Sequence, residues 1–131
     1  MLNSLKTWLG VAAAGLVLSA CGGGSDGPTP HGAIALNVST PSAYIATNFI
    51  SQAQANTGAV TRCGGDGCVV IHEFAGSGSC AALATGGGSS LVWGVSSGST
   101  QTEAEAGALQ SCTAKGGVRC SIPDAIPGKC Q

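Results

Sequence analysis

The stretch TEAEAGALQSC, Thr102 to Cys112, decides the fold because the chain has already written it once. At a 49-residue offset, AQANTGAVTRC runs from Ala53 to Cys63, and the pairs Ala55/Ala104, Gly58/Gly107, Ala59/Ala108 and Cys63/Cys112 coincide. In both copies the alanines and the terminal cysteine fall at i, i+4 and i+8, on one face of a helix. Just ahead stand Ser51-Gln52-Ala53-Gln54 and Thr100-Gln101-Thr102-Glu103. Both have the S/T-x-x-E/Q form of a capping box, in which the hydroxyl accepts a free backbone N–H and the fourth residue reaches back. The pattern predicts helices over 51–63 and 100–114. Each carries a stripe of small residues that lets it lie close against a sheet. That face holds no titratable side chain apart from the cysteines, so the stripe is architecture rather than chemistry.

The repeat extends outward from the helices. Ala33 and Ala35 in GAIAL match Ala82 and Ala84 in CAALA, and Tyr44 matches Trp93. After each helix a Gly-rich turn leads into a strand pattern, GGDG before Cys68–Phe74 and TAKGG before Val118–Ile122. GSGS (76–79) and GGGSS (86–90) read as turns by composition. Strands are expected near 33–38, 42–47, 68–74, 80–85, 91–96 and 118–123. The predicted fold is α+β, a duplicated strand–strand–helix–strand unit with two helices packed on one antiparallel sheet. As repeat equivalents on strands, Tyr44 and Trp93 have two readings. Both pack in the core under the helices, or Trp93 anchors a binding surface on a concave sheet face, since Trp and Tyr are enriched at interface hot spots.

The N-terminus gives an address. Met1–Lys6 carries one positive charge, and TWLGVAAAGLVLSA is apolar but too short to span a bilayer as a stable helix. It ends at Leu18-Ser19-Ala20-Cys21, which resembles the bacterial lipobox. The resemblance implies a signal peptide over 1–20, cleavage before Cys21 and acylation of Cys21. Gly22 in the next position implies, by Gram-negative sorting rules, the outer membrane with the body facing the periplasm. Residues 21–31 then form a lipidated cysteine and a Gly/Pro tether, whose ten residues after Cys21 reach roughly 16–19 Å as a flexible coil. The folded body is expected over 32–131, in halves of about 32–79 and 80–131. At ~100 residues its core is modest, and disulfide support is a reasonable expectation.

Composition excludes some partners. The whole chain has a net charge of −1, and charged residues make up 8% of it. Loss of Lys6 with residues 1–20 makes the mature charge −2. No basic footprint of a nucleic-acid binder is present. Seven cysteines become six once Cys21 is acylated, leaving Cys63, Cys68, Cys80, Cys112, Cys120 and Cys130. An even set in an oxidising compartment predicts three disulfides rather than a metal site, whose pairs would stand closer together or recruit histidines. Counted along the repeat, three cysteines belong to each copy (63, 68, 80 and 112, 120, 130). Three is odd, so at least one bridge is expected to cross between the copies. Two pairings respect the repeat: Cys63–Cys68 and Cys112–Cys120 with Cys80–Cys130 crossing, or Cys63–Cys80 and Cys112–Cys130 with Cys68–Cys120 crossing.

The series GAIAL, an Ala-rich helix ending in Cys63, CVVIHEF, Cys80-Ala81-Ala82-Leu83-Ala84, AEAGALQSC and a final Cys-containing strand resembles the bacterial domain-of-unknown-function family numbered 4189. The resemblance covers about residues 32–131 and implies an exported small protein, with no shared activity and no catalytic residues to carry over. The first copy departs from the family pattern at its short GGDG turn and at Asn56-Thr57. The duplicated plan is also similar, at the level of fold alone, to β-lactamase-inhibitor-type proteins, which bind other proteins.

No enzymatic signature emerges. His72-Glu73 is not HExxH, because Gly76 stands where the second histidine belongs. Strand alternation sends His72 and Glu73 to opposite faces. Glu103 and Glu105 lie two apart on a helix and point in different directions. The glycine runs lack the lysine of a phosphate-binding loop. The expectation is therefore a protein without catalytic residues, cofactor or metal, anchored to the membrane by lipid and engaging an envelope protein. A structural or stress-related envelope lipoprotein is the alternative, and a small hydrolase a third reading.

Overall fold

Each copy of the repeat builds its own sheet. The structure, a computed structural model, describes residues 27–64 and 66–131. The first unit comprises β1 (His31–Asn37), β2 (Ser42–Phe49), α1 (Gln52–Cys63) and β3 (Val69–Ala75). The second comprises β4 (Cys80–Gly87), β5 (Val92–Gly98), α2 (Gln101–Ala114), β6 (Val118–Ser121) and β7 (Lys129–Cys130). One antiparallel sheet has the order β2-β1-β3. The other has the order β5-β4-β6, with β7 pairing farther along β4. The fold is α+β with two helices on antiparallel sheets, but the single sheet expected from the sequence is two.

The reason lies in GAIAL and CAALA. Every residue from Gly32 to Asn37 is buried, as is every residue from Cys80 to Ala84, so the central strands β1 and β4 are covered on both faces. Ala33 and Ala35 turn to α1 and pack with Ala55, Ala59 and Cys63. Ile34 and Leu36 turn the other way and share a cluster with Ile45, Phe74, Ala81 and Leu83. On the far side Ala82 and Ala84 pack with Ala104, Ala108 and Cys112. Small residues thus face the helices and large ones face the other sheet. The layers run helix, sheet, sheet, helix. Fully burying Ile34, Leu36, Ile45 and Leu83 contributes about 2 kcal/mol each before entropy is counted.

Both helices start where the caps place them. Ser51 Oγ accepts the Gln54 N–H at 3.3 Å, and Thr100 Oγ1 accepts the Glu103 N–H at 3.1 Å. The return arm differs from the expected box. Glu103 reaches one residue further, accepting both the Ser99 N–H (2.9 Å) and the Ser99 hydroxyl (2.6 Å), and these bonds hold its carboxyl below the usual range. Gly64, at φ 109°, ends α1 in the left-handed conformation that glycine adopts without penalty.

The disulfides are Cys63–Cys68, Cys112–Cys120 and Cys80–Cys130. The first two tie a helix end to the strand that follows it, in equivalent places. The third corrects the parity argument. Cys80 opens β4 and Cys130 lies directly opposite it in β7, so this bridge is internal to the second unit. The first unit holds two cysteines and the second four. No described disulfide crosses between the units.

A second correction concerns Tyr44 and Trp93. In the first sheet Tyr44 pairs with Ala35, whereas in the second Ala84, the equivalent of Ala35, pairs with Gly94. Trp93 instead faces Thr85. The register between β1 and β2 shifts between His31 and Ala33, near Asn48, which sits at φ 63°. One extra residue inserted there sends the rest of β2 to opposite faces relative to a simple alignment. Tyr44 therefore points toward α1, and Trp93 points into the space between the sheets.

Candidate functional site

The aromatic positions singled out in the sequence do not form one surface. Each is a separate half-buried ring with a cation over it. Lys115, the residue that caps α2, sets its Nζ 4.0 Å from the Trp93 ring centre. Arg62 in the last turn of α1 lies 5.5 Å from the Tyr44 ring, and its Nη1 donates to the Tyr44 hydroxyl at 2.9 Å. Lys129 of β7 approaches the same ring at 4.9 Å. A cation held over an aromatic face is stabilised by about 0.5–1 kcal/mol at exposed sites. Tyr44 thus joins the two units, while Trp93 is served by its own unit alone. Each ring offers an apolar face beside a positive charge, the chemistry that accepts a partner's carboxylate and aliphatic side chains together.

A polar relay that the sequence reading missed recurs at the 49-residue offset. Gln52 Nε2 donates to Asn56 Oδ1 at 2.9 Å, and Asn56 Nδ2 donates to Glu73 Oε1 on β3 at 2.6 Å. In the second copy Gln101 Nε2 donates to Glu105 Oε1 at 2.9 Å, and the same oxygen accepts the Gly128 N–H at 2.9 Å. Each relay pins the end of its unit to its helix. The carboxylate has changed sides: it sits on the strand in the first copy and on the helix in the second. The matched pairs Gln52/Gln101 and Asn56/Glu105 were the available signal.

The two sheets are also stitched by polar contacts. His72 Nε2 and Ser97 Oγ share a 2.6 Å hydrogen bond between β3 and β5. Burial lowers the His72 pKa, against an opposing pull from Glu73, so the ring is neutral at pH 7. A neutral imidazole beside a hydroxyl is the start of a nucleophilic pair, but such a pair needs a third group to orient the base. Glu73 is turned to the other face and engaged by Asn56, and among the described residues His72 Nδ1 has no partner. The contact ties sheet to sheet. Gln131 does the same, accepting the Asn48 N–H at 2.7 Å and donating to the Phe74 carbonyl at 3.4 Å.

Cys21 lies outside the described residues. The other six cysteines are all consumed by disulfides. Among the described residues no three metal-ligating side chains converge, and no helix is long and apolar enough to cross a membrane. Between the sheets, where Leu36 and Leu83 approach the 123–126 segment, lies an apolar cavity of about 210 Å³.

Compared with known families, residues 31–125 match the domain of unknown function DUF4189. The chain belongs to the DUF4189 family. The match runs from the first residue of β1 into the segment between β6 and β7, so it takes in both units. No curated protein and no solved structure matches the chain, and the likeness to inhibitor-type proteins carries no argument beyond the plan of elements. For this DUF4189 domain, function has to be argued from its own surfaces.

Proposed function

We propose that this chain is a lipid-anchored protein of the bacterial envelope, held through Cys21 to the outer membrane, whose DUF4189 domain is a non-catalytic module that binds another envelope protein. The observation that carries the binding half is the pair of cation-capped rings, Trp93 under Lys115 and Tyr44 between Arg62 and Lys129. Trp, Tyr and Arg side chains, here Trp93, Tyr44 and Arg62, supply much of the energy at protein interfaces. The address rests on Leu18-Ser19-Ala20-Cys21 followed by Gly22, and on a tether rich in Gly and Pro. Three disulfides in a domain of this size favour an oxidising compartment such as the periplasm.

Two experiments test the two halves separately. Growth with labelled palmitate should mark the wild-type chain and leave Cys21→Ala unmarked, with the variant shifted to the soluble fraction. An unmarked wild type removes the anchor. For binding, a photo-crosslinking residue at Lys115 should capture a discrete envelope protein in living cells. Trp93→Ala should abolish that adduct while leaving the disulfide map intact. An adduct that survives Trp93→Ala and Tyr44→Phe together would place the interface elsewhere.

A further inference from the structure

The second unit carries something the first does without. In the first unit β3 is one continuous strand beside β1, from Val69 opposite Leu36 to Ala75 opposite His31, with one register shift between Ile34 and Ala35. In the second unit the corresponding strand is broken into β6 and β7, and residues 122–128 bulge out between them. This strap is anchored at both ends by disulfides, through Cys120 to Cys112 and through Cys130 to Cys80. Inside, the Ile126 N–H returns to the Pro123 carbonyl at 2.9 Å, and Gly128 is held by Glu105. The first unit has the counterpart of Cys112–Cys120 in Cys63–Cys68 but closes its sheet with no strap and no second bridge, so the strap and the Cys80–Cys130 bridge are not needed to complete the fold of a unit. They hold Pro123, Ala125 and Ile126 against the space between the sheets, where these residues close the 210 Å³ cavity.

We propose that this cavity binds a small, mainly apolar molecule, a single aromatic ring or a short alkyl group carrying one hydrogen-bonding substituent. Size supports this, because an apolar cavity of about 150 Å³ is enough to take up benzene, and this one measures about 210 Å³. Chemistry supports it too. Leu36, Leu83, Leu91 and Ile126 supply aliphatic walls, and Thr85 is the one polar residue in the lining. Thr85 belongs to the face of β4 turned toward the other sheet, alternating with Leu83 and opposite Trp93. Access is provided at Pro41 and Ala125, which line the cavity and are exposed at the surface. A recess walled by a doubly stapled insertion is held in shape, and its size suits a free small molecule rather than a macromolecular surface.

The test uses methyl-resolved NMR of the oxidised domain titrated with phenol and, separately, benzene. Both should move the methyl signals of Leu36, Leu83, Leu91 and Ile126 along saturating curves. Ala125→Phe fills the recess from its exposed rim and should abolish saturation for both ligands. Thr85→Val should weaken phenol three- to tenfold, the factor expected for one hydrogen bond, and leave benzene unchanged. Shifts that stay linear to the solubility limit, or that persist in Ala125→Phe, overturn the site. Equal affinity for phenol in wild type and Thr85→Val overturns the role given to the hydroxyl.

Discussion

The two units of this domain share a plan but are packed by different means. In the first, the edge strand β2 turns Tyr44 and Phe49 toward its helix, and a Cβ on Gly58 of α1 would run into the Phe49 ring. In the second, the matching positions of β5 are Gly94 and Gly98; a Cβ on Gly94 would strike the backbone of α2, and one on Gly98 would strike the Glu103 Cβ. One helix is held off its strand by aromatic side chains, and the other lies directly on it. The same alanine stripe serves both arrangements because Ala55/Ala104 and Ala59/Ala108 pack in the same way on the small residues of the central strands, Ala33 and Ala35 or Ala82 and Ala84. The lesson is that a duplicated sequence repeats its helix-to-centre contact faithfully, and diversifies at the edge strand and in the strand after the helix.

The comparison can be broken most severely at the disulfides. Replacing Cys80 and Cys130 together by serine opens a loop with a sequence separation of 50 residues, for which the loop-entropy relation gives a loss of about 4 kcal/mol. The same change at Cys63 and Cys68, separated by 5 residues, should cost about 2 kcal/mol. Denaturant melts of the two double variants measure the gap. Equal losses would mean that the extra bridge contributes nothing beyond its repeat-wide counterparts.

Next in size is the glycine contrast. Gly94→Ala drives a methyl group into the backbone at Ala108 and Cys112, which cannot move aside, and should cost about 3 kcal/mol. Gly58→Ala meets only the half-buried ring of Phe49. The ring can swing away, and the helix gains about 0.5–1 kcal/mol from losing a glycine, so the net change should stay under about 1 kcal/mol. Similar losses in thermal melts would show that the two helices are seated alike.

A smaller effect separates the relays. Glu105→Ala removes the acceptor of two hydrogen bonds, one of them from the backbone of the strap, and should cost about 1–2 kcal/mol. Amide exchange should speed up at Gly128 and remain unchanged in β3. Asn56→Ala should do the reverse, loosening β3 and leaving the strap protected.

The last effect is a pH dependence confined to the seam. Burial lowers the folded-state pKa of His72, so the unfolded chain takes up the proton first as pH falls. The contribution is constant above about pH 6.5, the ordinary histidine value, and stability falls as acidification proceeds below it. His72→Gln should flatten that slope in stability-versus-pH measurements.

What could be read in the sequence was mostly what is decided locally. Ser51 and Thr100 fix both helix starts by a hydroxyl-to-amide bond three residues on, and the alanine stripe follows from helix geometry. The repeat narrowed the bridges to two schemes, of which the one with Cys63–Cys68 and Cys112–Cys120 is found. The two sheets were not, although the clue was present: GAIAL alternates small and large residues, which marks a strand covered on both faces by different partners. The slip that separates Tyr44 from Trp93 depends on one left-handed residue, Asn48, and an ungapped alignment passes over it. Counting three cysteines to each copy put Cys80 with the preceding one and made its bridge a crossing, whereas the boundary of the halves at 80 and the hydrogen bonding along β4 both put it with the next. The cation over each ring was equally out of reach, since Lys115 at the end of α2 and Lys129 in β7 are distant from the aromatics in sequence.

With every described disulfide confined to one unit, the covalent map has a consequence. The only described backbone passage from one unit to the other is the turn Gly76–Ser79, between β3 and β4. A single cut there would leave two oxidised fragments with no covalent bond between them, joined by the apolar seam, the His72–Ser97 contact, Lys129 over the Tyr44 ring and the reach of Gln131. The domain is severable at one point, and its halves, produced as separate chains, are natural candidates for reassembly by complementation.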